Sequence, residues 1–123
     1  MLKLCDDISI MLAIEPVDFR KGARSLLALC REHYKQSVEQ NIWYVFTNRR
    51  YIAIKILCID DSGCWLATKY FDKGKLAFWP TSSTEMTEIS SEQLQLIAAQ
   101  KHPISANYSS AIPGLSRDFI LTV

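Results

Sequence analysis

Arg20, Lys21, Arg24 and Arg31, followed by Arg49, Arg50, Lys55 and Lys69, are the residues best suited to chemistry, and what they suit is holding an anion. A cation placed against a phosphate neutralises it and releases its counterion, so the resulting affinity is strong at low salt and weak at high salt. On a helical wheel Arg20, Arg24, Arg31 and Lys35 fall within about 60° of arc, beside an apolar face. A helix here would lay a basic stripe along a phosphate backbone; a merely solvated face and an acidic protein partner are the competing readings. Lys55 and Lys69 form a second cluster if Asp61-Ser62-Gly63 is a three-residue loop with Gly63 left-handed. In that register the two lysines stand directly opposite, which is unfavourable unless an anion or carboxylate relieves it. A shifted register leaves them diagonal. Sharing a face with Tyr51, Trp65 and Phe71, they would make a platform of the kind that binds single strands; ordinary core is the alternative for those aromatics.

Catalytic readings find less support. His33 follows Cys30 by three residues, yet no second metal-ligand pair accompanies them. His102 beside Pro103 reads as a helix end, and Asp60-Asp61 as a turn cap. A nuclease needs carboxylates converging on a divalent cation. Glu15, Asp18, Asp60, Asp61 and Asp72 supply material, but no spacing singles out a site. There is no glycine-rich phosphate loop and no nucleophile elbow. No catalytic residue, metal or cofactor is expected, and a metal-dependent nuclease or strand-transfer enzyme is the competing class.

Those cations must be positioned by a fold that 123 residues can build around one core. Hydrophobic residues at 49% and charged residues at 22% match an ordinary globule and argue against disorder. The net charge of +1 conceals a segregation, with +3 over residues 17–35 and +3 over residues 43–80 against acidic flanks. Such gathering permits an anionic partner. Cys5, Cys30, Cys58 and Cys64 form no Cys-x-x-Cys pair and read as reduced thiols of a cytoplasmic protein. No stretch has the length of a membrane span and no signal peptide is evident.

Ile8, Ile10, Leu12 and Ile14 alternate as in a strand. Asp18 suits an N-cap for a helix over 19–34, with Phe19, Ala23, Leu26, Leu27, Cys30 and Tyr34 toward the core. Gly22 in that helix suggests close approach of another backbone. Four β-rich runs follow at 42–47, 51–60, 64–72 and 75–79, with short separators that force antiparallel neighbours. After a Thr/Ser-rich linker at 81–87, Ser90 and Gln93 make a capping box for a helix over 91–101, with Ile89 and Leu94 as a hydrophobic staple. The expectation is an α+β fold: an antiparallel β-meander of four to five strands with two helices packed on one face. Residues 1–101 make the domain; residues 102–123, ending Phe119-Ile120-Leu121-Thr122-Val123, are an extension, either an added strand or a loose tail.

The order of these blocks resembles a known family. Asp18-Phe19-Arg20-Lys21-Gly22, then Leu26 and Leu29, is similar to the opening of the TnpB-type accessory protein of the sixty-sixth insertion-sequence family. Val45-Phe46, Asn48-Arg49-Arg50, Lys55-Ile56-Leu57, Asp60, Gly63, Leu66, Lys69, Gly74, Phe78-Trp79-Pro80 and Gln93-Leu94 with Leu96 continue the likeness over residues 1–101. Lys69-Tyr70-Phe71-Asp72 stands where the family usually has Lys-Arg-Leu-Glu, and Cys58-Ile59 replaces paired aromatics. The resemblance implies a bacterial, non-catalytic role in moving the element alongside a separate transposase. Expected partners are DNA at the element ends, the transposase and a further copy of the chain, with no membrane. A pure protein-interaction module is the third reading.

Overall fold

The run Ser9–Ala13 forms the first strand, β1, and both of its faces are covered. Ile10 and Leu12 are buried in one apolar cluster and Ala13 in another. The computed structural model that gives this arrangement describes residues 8–101; Cys5, His102 and the 102–123 extension lie outside the described residues. The other elements are α1 (Ala23–Glu32), β2 (Ile42–Thr47), β3 (Ala53–Ile59), β4 (Cys64–Tyr70), β5 (Met86–Ile89) and α2 (Ser91–Ala98). They build one five-stranded sheet in the order β4-β3-β2-β1-β5.

The α+β class holds, but the meander does not. Strands β2, β3 and β4 are consecutive antiparallel neighbours, as their short links require. Strand β1, in contrast, pairs parallel with β2, Ser9 opposite Ile42 and Leu12 opposite Val45. A parallel pair needs a long crossover, and residues 14–41, carrying α1, supply it. The sheet is therefore mixed. Nor do the helices share a face. Leu26 and Cys30 of α1 lie in a cluster with Ala13, Tyr44, Phe46 and Leu57. Leu94, Leu96 and Ile97 of α2 lie in the other, with Ile10, Leu12, Val45, Ile54 and Cys58. Neighbouring residues of one strand thus feed opposite clusters, which explains why β2 reads as a continuous apolar run rather than an alternation.

The expected strand at 75–79 is irregular chain, and the fifth strand, Met86–Ile89, begins in the last two residues of the expected linker and runs past it. Topology gives the reason. Strands β4 and β5 are opposite edges, four spacings or about 19 Å apart, and β5 pairs antiparallel with β1. Residues 71–85 make that traverse on the α2 side, burying Leu76, Phe78 and Trp79 on the way. The indole N–H of Trp79 donates to the carbonyls of Ala13 (3.2 Å) and Ile14 (3.0 Å) just past the end of β1. The segment is tied to the sheet by a side chain, not by a ladder. The second helix starts as read: Ser90 Oγ accepts from Gln93 N–H and Gln93 Oε1 accepts from Ser90 N–H. It ends at Ala98, three residues early, and Gln100 reaches back to the carbonyls of Lys73 and Lys75.

Candidate anion-binding surface

The first helix begins later than its apolar periodicity suggests, and Lys55 holds two of the carbonyls that precede it. Lys55 lies on β3, 7% exposed, facing the α1 side. Its ammonium donates to the carbonyls of Phe19 (2.7 Å) and Lys21 (2.9 Å) and lies 4.8 Å from the centre of the Phe19 ring. Those two carbonyls would otherwise accept from the first turn of a helix started at residue 19. Held by Lys55, residues 19–21 form a turn instead, and Gly22 becomes the N-cap in extended conformation. Glycine is acceptable there, and the site is open: a Cβ on Gly22 would meet nothing within 4 Å. The expected close backbone approach is absent.

Asp18 is not the N-cap. Its carboxylate accepts from the backbone N–H of Arg20 at 2.9 Å and from the Arg20 guanidinium at 2.7–3.1 Å. Those guanidinium bonds, then the backbone one, hold the Asp18 carboxyl down at about 2. The pair is exposed, the Arg20 side chain at 91%. It is a local clamp that aims the guanidinium, and surface pairs of this kind add little stability.

The basic stripe does not survive as one helical face. Arg20 and Lys21 sit in the turn before α1, and Lys35 lies beyond the helix with a positive φ of 56°. Only Arg24 and Arg31 remain on α1, both exposed and about 10 Å apart along the axis at 1.5 Å per residue. What the fold brings to the start of α1 instead is the turn between β2 and β3. Asn48 Oδ1 accepts from Ile52 N–H, Tyr51 N–H donates to Asn48 O, and Tyr51 adopts a positive φ of 58°. Thr47 Oγ1 donates to Ala53 O. That rigid turn leaves Arg49 and Arg50 exposed. Val17, Asp18 and Phe19 line an open cleft of about 300 Å³ together with Asn48, Arg49 and Arg50. A second cleft of about 380 Å³ adjoins it through Arg49, with Glu15, Pro16 and Tyr51. Both lie past the carboxyl ends of the parallel pair β1 and β2.

The Lys55–Lys69 pairing is a correction. Four residues, 60–63, link β3 to β4, with Asp61 and Ser62 at the tip inside the Asp60 N–H to Gly63 O bond at 2.9 Å, and Gly63 is not left-handed. Lys55 therefore faces Thr68, and Lys69 faces Ile54 on the other side of the sheet. The Asp60 carboxylate drives this: it accepts from Ser62 N–H, Ser62 Oγ, Gly63 N–H and the Trp65 indole, which lowers its pKa, chiefly through the Ser62 amide. Lys69 donates to Ala98 O at 2.8 Å, complementing the carboxyl end of α2. The aromatic platform is likewise divided. Trp65, Tyr51 and Phe71 share the α2 side with Lys69, whereas Lys55 is buried opposite. Residue types alone did not separate a cation that meets solvent from one consumed by carbonyls; a lysine flanked by Ile54 and Ile56 in an apolar run was the available signal.

Cys30 and Cys58 are buried free thiols that burial pushes up to about 12, and Cys64 is free and half-buried. His33 lies 3.6 Å from Glu85, both side chains well exposed. Among the described residues no three His, Cys, Asp or Glu side chains are grouped to hold a metal ion, and no helix is long and apolar enough to cross a membrane.

Residues 8–102 match the family model described as IS66 Orf2 like protein. An uncharacterised protein of Sinorhizobium fredii, y4jC, is 32% identical over 92 residues, which are 75% of this chain and 78% of that protein. No solved structure matches.

Proposed function

The chain belongs to the IS66 Orf2 like protein family, an accessory of insertion-sequence transposition, and we propose that it serves without catalysis by holding DNA phosphates around the cleft between Asp18 and Arg50. The observation carrying this is that Arg49 and Arg50 line one solvent-open cleft with Asp18, the carboxylate that holds the Arg20 guanidinium. Arg20, Lys21, Arg24, Arg49 and Arg50 form the phosphate-tracking surface. Arg31 extends it along α1. Lys55 supports it from behind, as a positioning residue that holds the carbonyls of Phe19 and Lys21, whereas Lys69 is spent on Ala98 O at the end of α2 and takes no part in it.

The chemistry needed is charge neutralisation with fixed geometry. Guanidinium groups suit it because their planar donors match phosphate oxygens in pairs. The Asp18 carboxylate in the cleft shows what Arg20 binds in the free protein; a phosphate would share or replace it. Sequence is read from base edges, and contacts of this kind fix position and strand tracking only. The protein would act where the element DNA is, in the cytoplasm.

Changing Arg49 and Arg50 together to alanine is expected to weaken binding equally for element ends and unrelated duplex. The slope of log affinity against log salt should flatten by about 2, since each lost phosphate contact removes about 0.9. A folded double mutant with unchanged affinity and slope would remove the turn from the interface, and a wild type without DNA affinity at low salt would end the proposal. One observation favours a second reading: Arg20 already binds a carboxylate, so an acidic surface of the transposase would also fit. Co-purification with the transposase, with and without terminal repeats, separates the two.

A further inference from the structure

We propose that the open edge of β4 is a self-association surface, through which two copies of this chain join their sheets antiparallel about a twofold axis at Ala67. Strand β4 ends the sheet, and among the described residues no strand pairs with its outer side. The two large hydrophobic side chains that the described residues leave exposed are both on it: Trp65 at 58% and Tyr70 at 63%. Proteins usually blunt such an edge with proline, a bulge or several charges. Residues 64–70 hold no proline and a single charge, and the β3–β4 ladder runs unbroken from Ala53–Tyr70 to Ile59–Cys64.

The ladder fixes which groups are free. Asp60 N–H donates to Gly63 O and Phe71 N–H donates to Ile52 O. By strict alternation, residues 65, 67 and 69 spend their backbone groups on β3, and 64, 66, 68 and 70 point theirs outward. A twofold axis perpendicular to the sheet keeps each face on its own side, so like parity must pair with like. With Ala67 on the axis, Leu66 pairs with Thr68 of the second copy and Cys64 with Tyr70, and their outward amides and carbonyls meet. On the α2 face, Trp65 then stands opposite Lys69.

That pairing is complementary in charge. The Asp60 carboxylate accepts from the Trp65 indole at 3.1 Å, so the incoming Lys69 ammonium, which in the single chain donates to Ala98 O and lies 5.9 Å from the centre of the Phe71 ring, would turn to a ring face with a carboxylate at its edge. No like charges face each other across the axis. Ala67, small and central, lets the two backbones approach. The second copy is thus a better occupant than an arbitrary strand, because the edge is its own complement. This proposal does not depend on the nucleic-acid reading, since none of its residues borders the cleft at Arg49 and Arg50.

Sedimentation velocity of the full chain from about 1 to about 500 µM, with amide hydrogen exchange at Leu66 and Thr68, tests it; edges of this size give weak, reversible dimers. The expected result is a monomer–dimer equilibrium in which those amides gain protection as concentration rises. Thr68→Pro removes an outward N–H without touching the β3 ladder and should raise the dimer Kd at least about tenfold. Trp65→Lys sets like charges opposite Lys69 and should weaken the dimer, and adding Lys69→Glu in the same chain should restore it. A chain monomeric throughout, protection independent of concentration (the edge covered from within one chain), a dimer indifferent to Thr68→Pro, or no rescue by Lys69→Glu would each overturn the proposal.

Discussion

Replacing Lys55 by methionine tests whether one buried ammonium sets the shape of the candidate surface. Methionine keeps the length and most of the apolar contact of the lysine stem, so the change isolates the charged head. Two hydrogen bonds disappear, to Phe19 O at 2.7 Å and Lys21 O at 2.9 Å, together with the cation–π contact to Phe19 at 4.8 Å. A hydrogen bond to a charged group contributes about 1.5–3 kcal/mol. The two are not additive, because relieving the desolvated ammonium offsets part of the loss; burial already pulls the Lys55 pKa down, with Asp18 opposing. The carbonyls, at a partly exposed turn, also recover water. A net destabilisation of about 2 kcal/mol follows, which for a domain of this size lowers Tm by about 10 °C. Thermal unfolding followed by circular dichroism measures it, with Lys73→Met as an exposed control expected within about 0.5 kcal/mol of wild type. The 19–21 turn should loosen as well, so trypsin cleavage after Arg20 and Lys21 should accelerate in the folded state. DNA affinity should fall although Lys55 touches no phosphate. A variant as stable as the control, with unchanged trypsin kinetics, would refute the pinning role.

The Asp18 carboxylate should titrate near 2 when followed by NMR, and Arg20→Gln should return it toward the ordinary carboxylate range. Because the folded value lies below the unfolded one, the contribution is complete above the usual carboxylate range and is lost as pH falls through about 2. An ordinary midpoint in the wild type would dissolve the clamp. Trp79→Phe removes the donor shared by Ala13 O and Ile14 O and leaves a gap in a side chain 1% exposed. A loss of about 2–4 kcal/mol in urea unfolding is expected from the lost donor and the cavity together, and a loss under about 0.5 kcal/mol would show that the 71–85 traverse is held by packing alone.

How much of this was legible in sequence depends on the range of the signal. The capping box of Ser90 and Gln93 is local, written in residues three apart, and it formed as read. The apolar side of α1 was also readable, since Leu26 and Cys30 are buried and Phe19, Ala23, Leu27 and Tyr34 pack around them. The alternation at Ile10 and Leu12 gave a strand but not its neighbours: parallel pairing of β1 with β2 is decided by where α1 delivers the chain. The register of β3 against β4 differs by one residue from the one a left-handed Gly63 implies, and the Asp60 side chain accepts the turn's N–H donors instead. One residue was enough to send Lys69 to the other face. The run at 75–79 has strand composition, but its Leu76, Phe78 and Trp79 are buried in the α2-side cluster as the chain crosses that face, rather than added to the edge of β4.

The blocks that carry the family likeness converge in space for a reason visible only in the fold. Phe19 and Lys21 offer their carbonyls to Lys55, Phe19 also offers its ring, Asp18 orients Arg20, and Gly22 starts the helix once Lys55 has delayed it. Asn48 and Thr47 hold the turn that presents Arg49 and Arg50 to the same cleft. Trp79 fastens the carbonyls at the end of β1, from which the chain proceeds to Asp18. Three separated stretches of sequence therefore hold the chain past the carboxyl ends of β1 and β2 in shape, and a fourth fastens the strand leading into it. The exposed cations there are few: the Arg20 guanidinium is clamped by Asp18, and the backbone that carries Arg49 and Arg50 is held by Thr47 and Asn48. A surface that needed only charge would not require a lysine spent on two backbone carbonyls or a carboxylate spent on an arginine. Those commitments suit the proposed role, in which the cations meet phosphate oxygens at set positions.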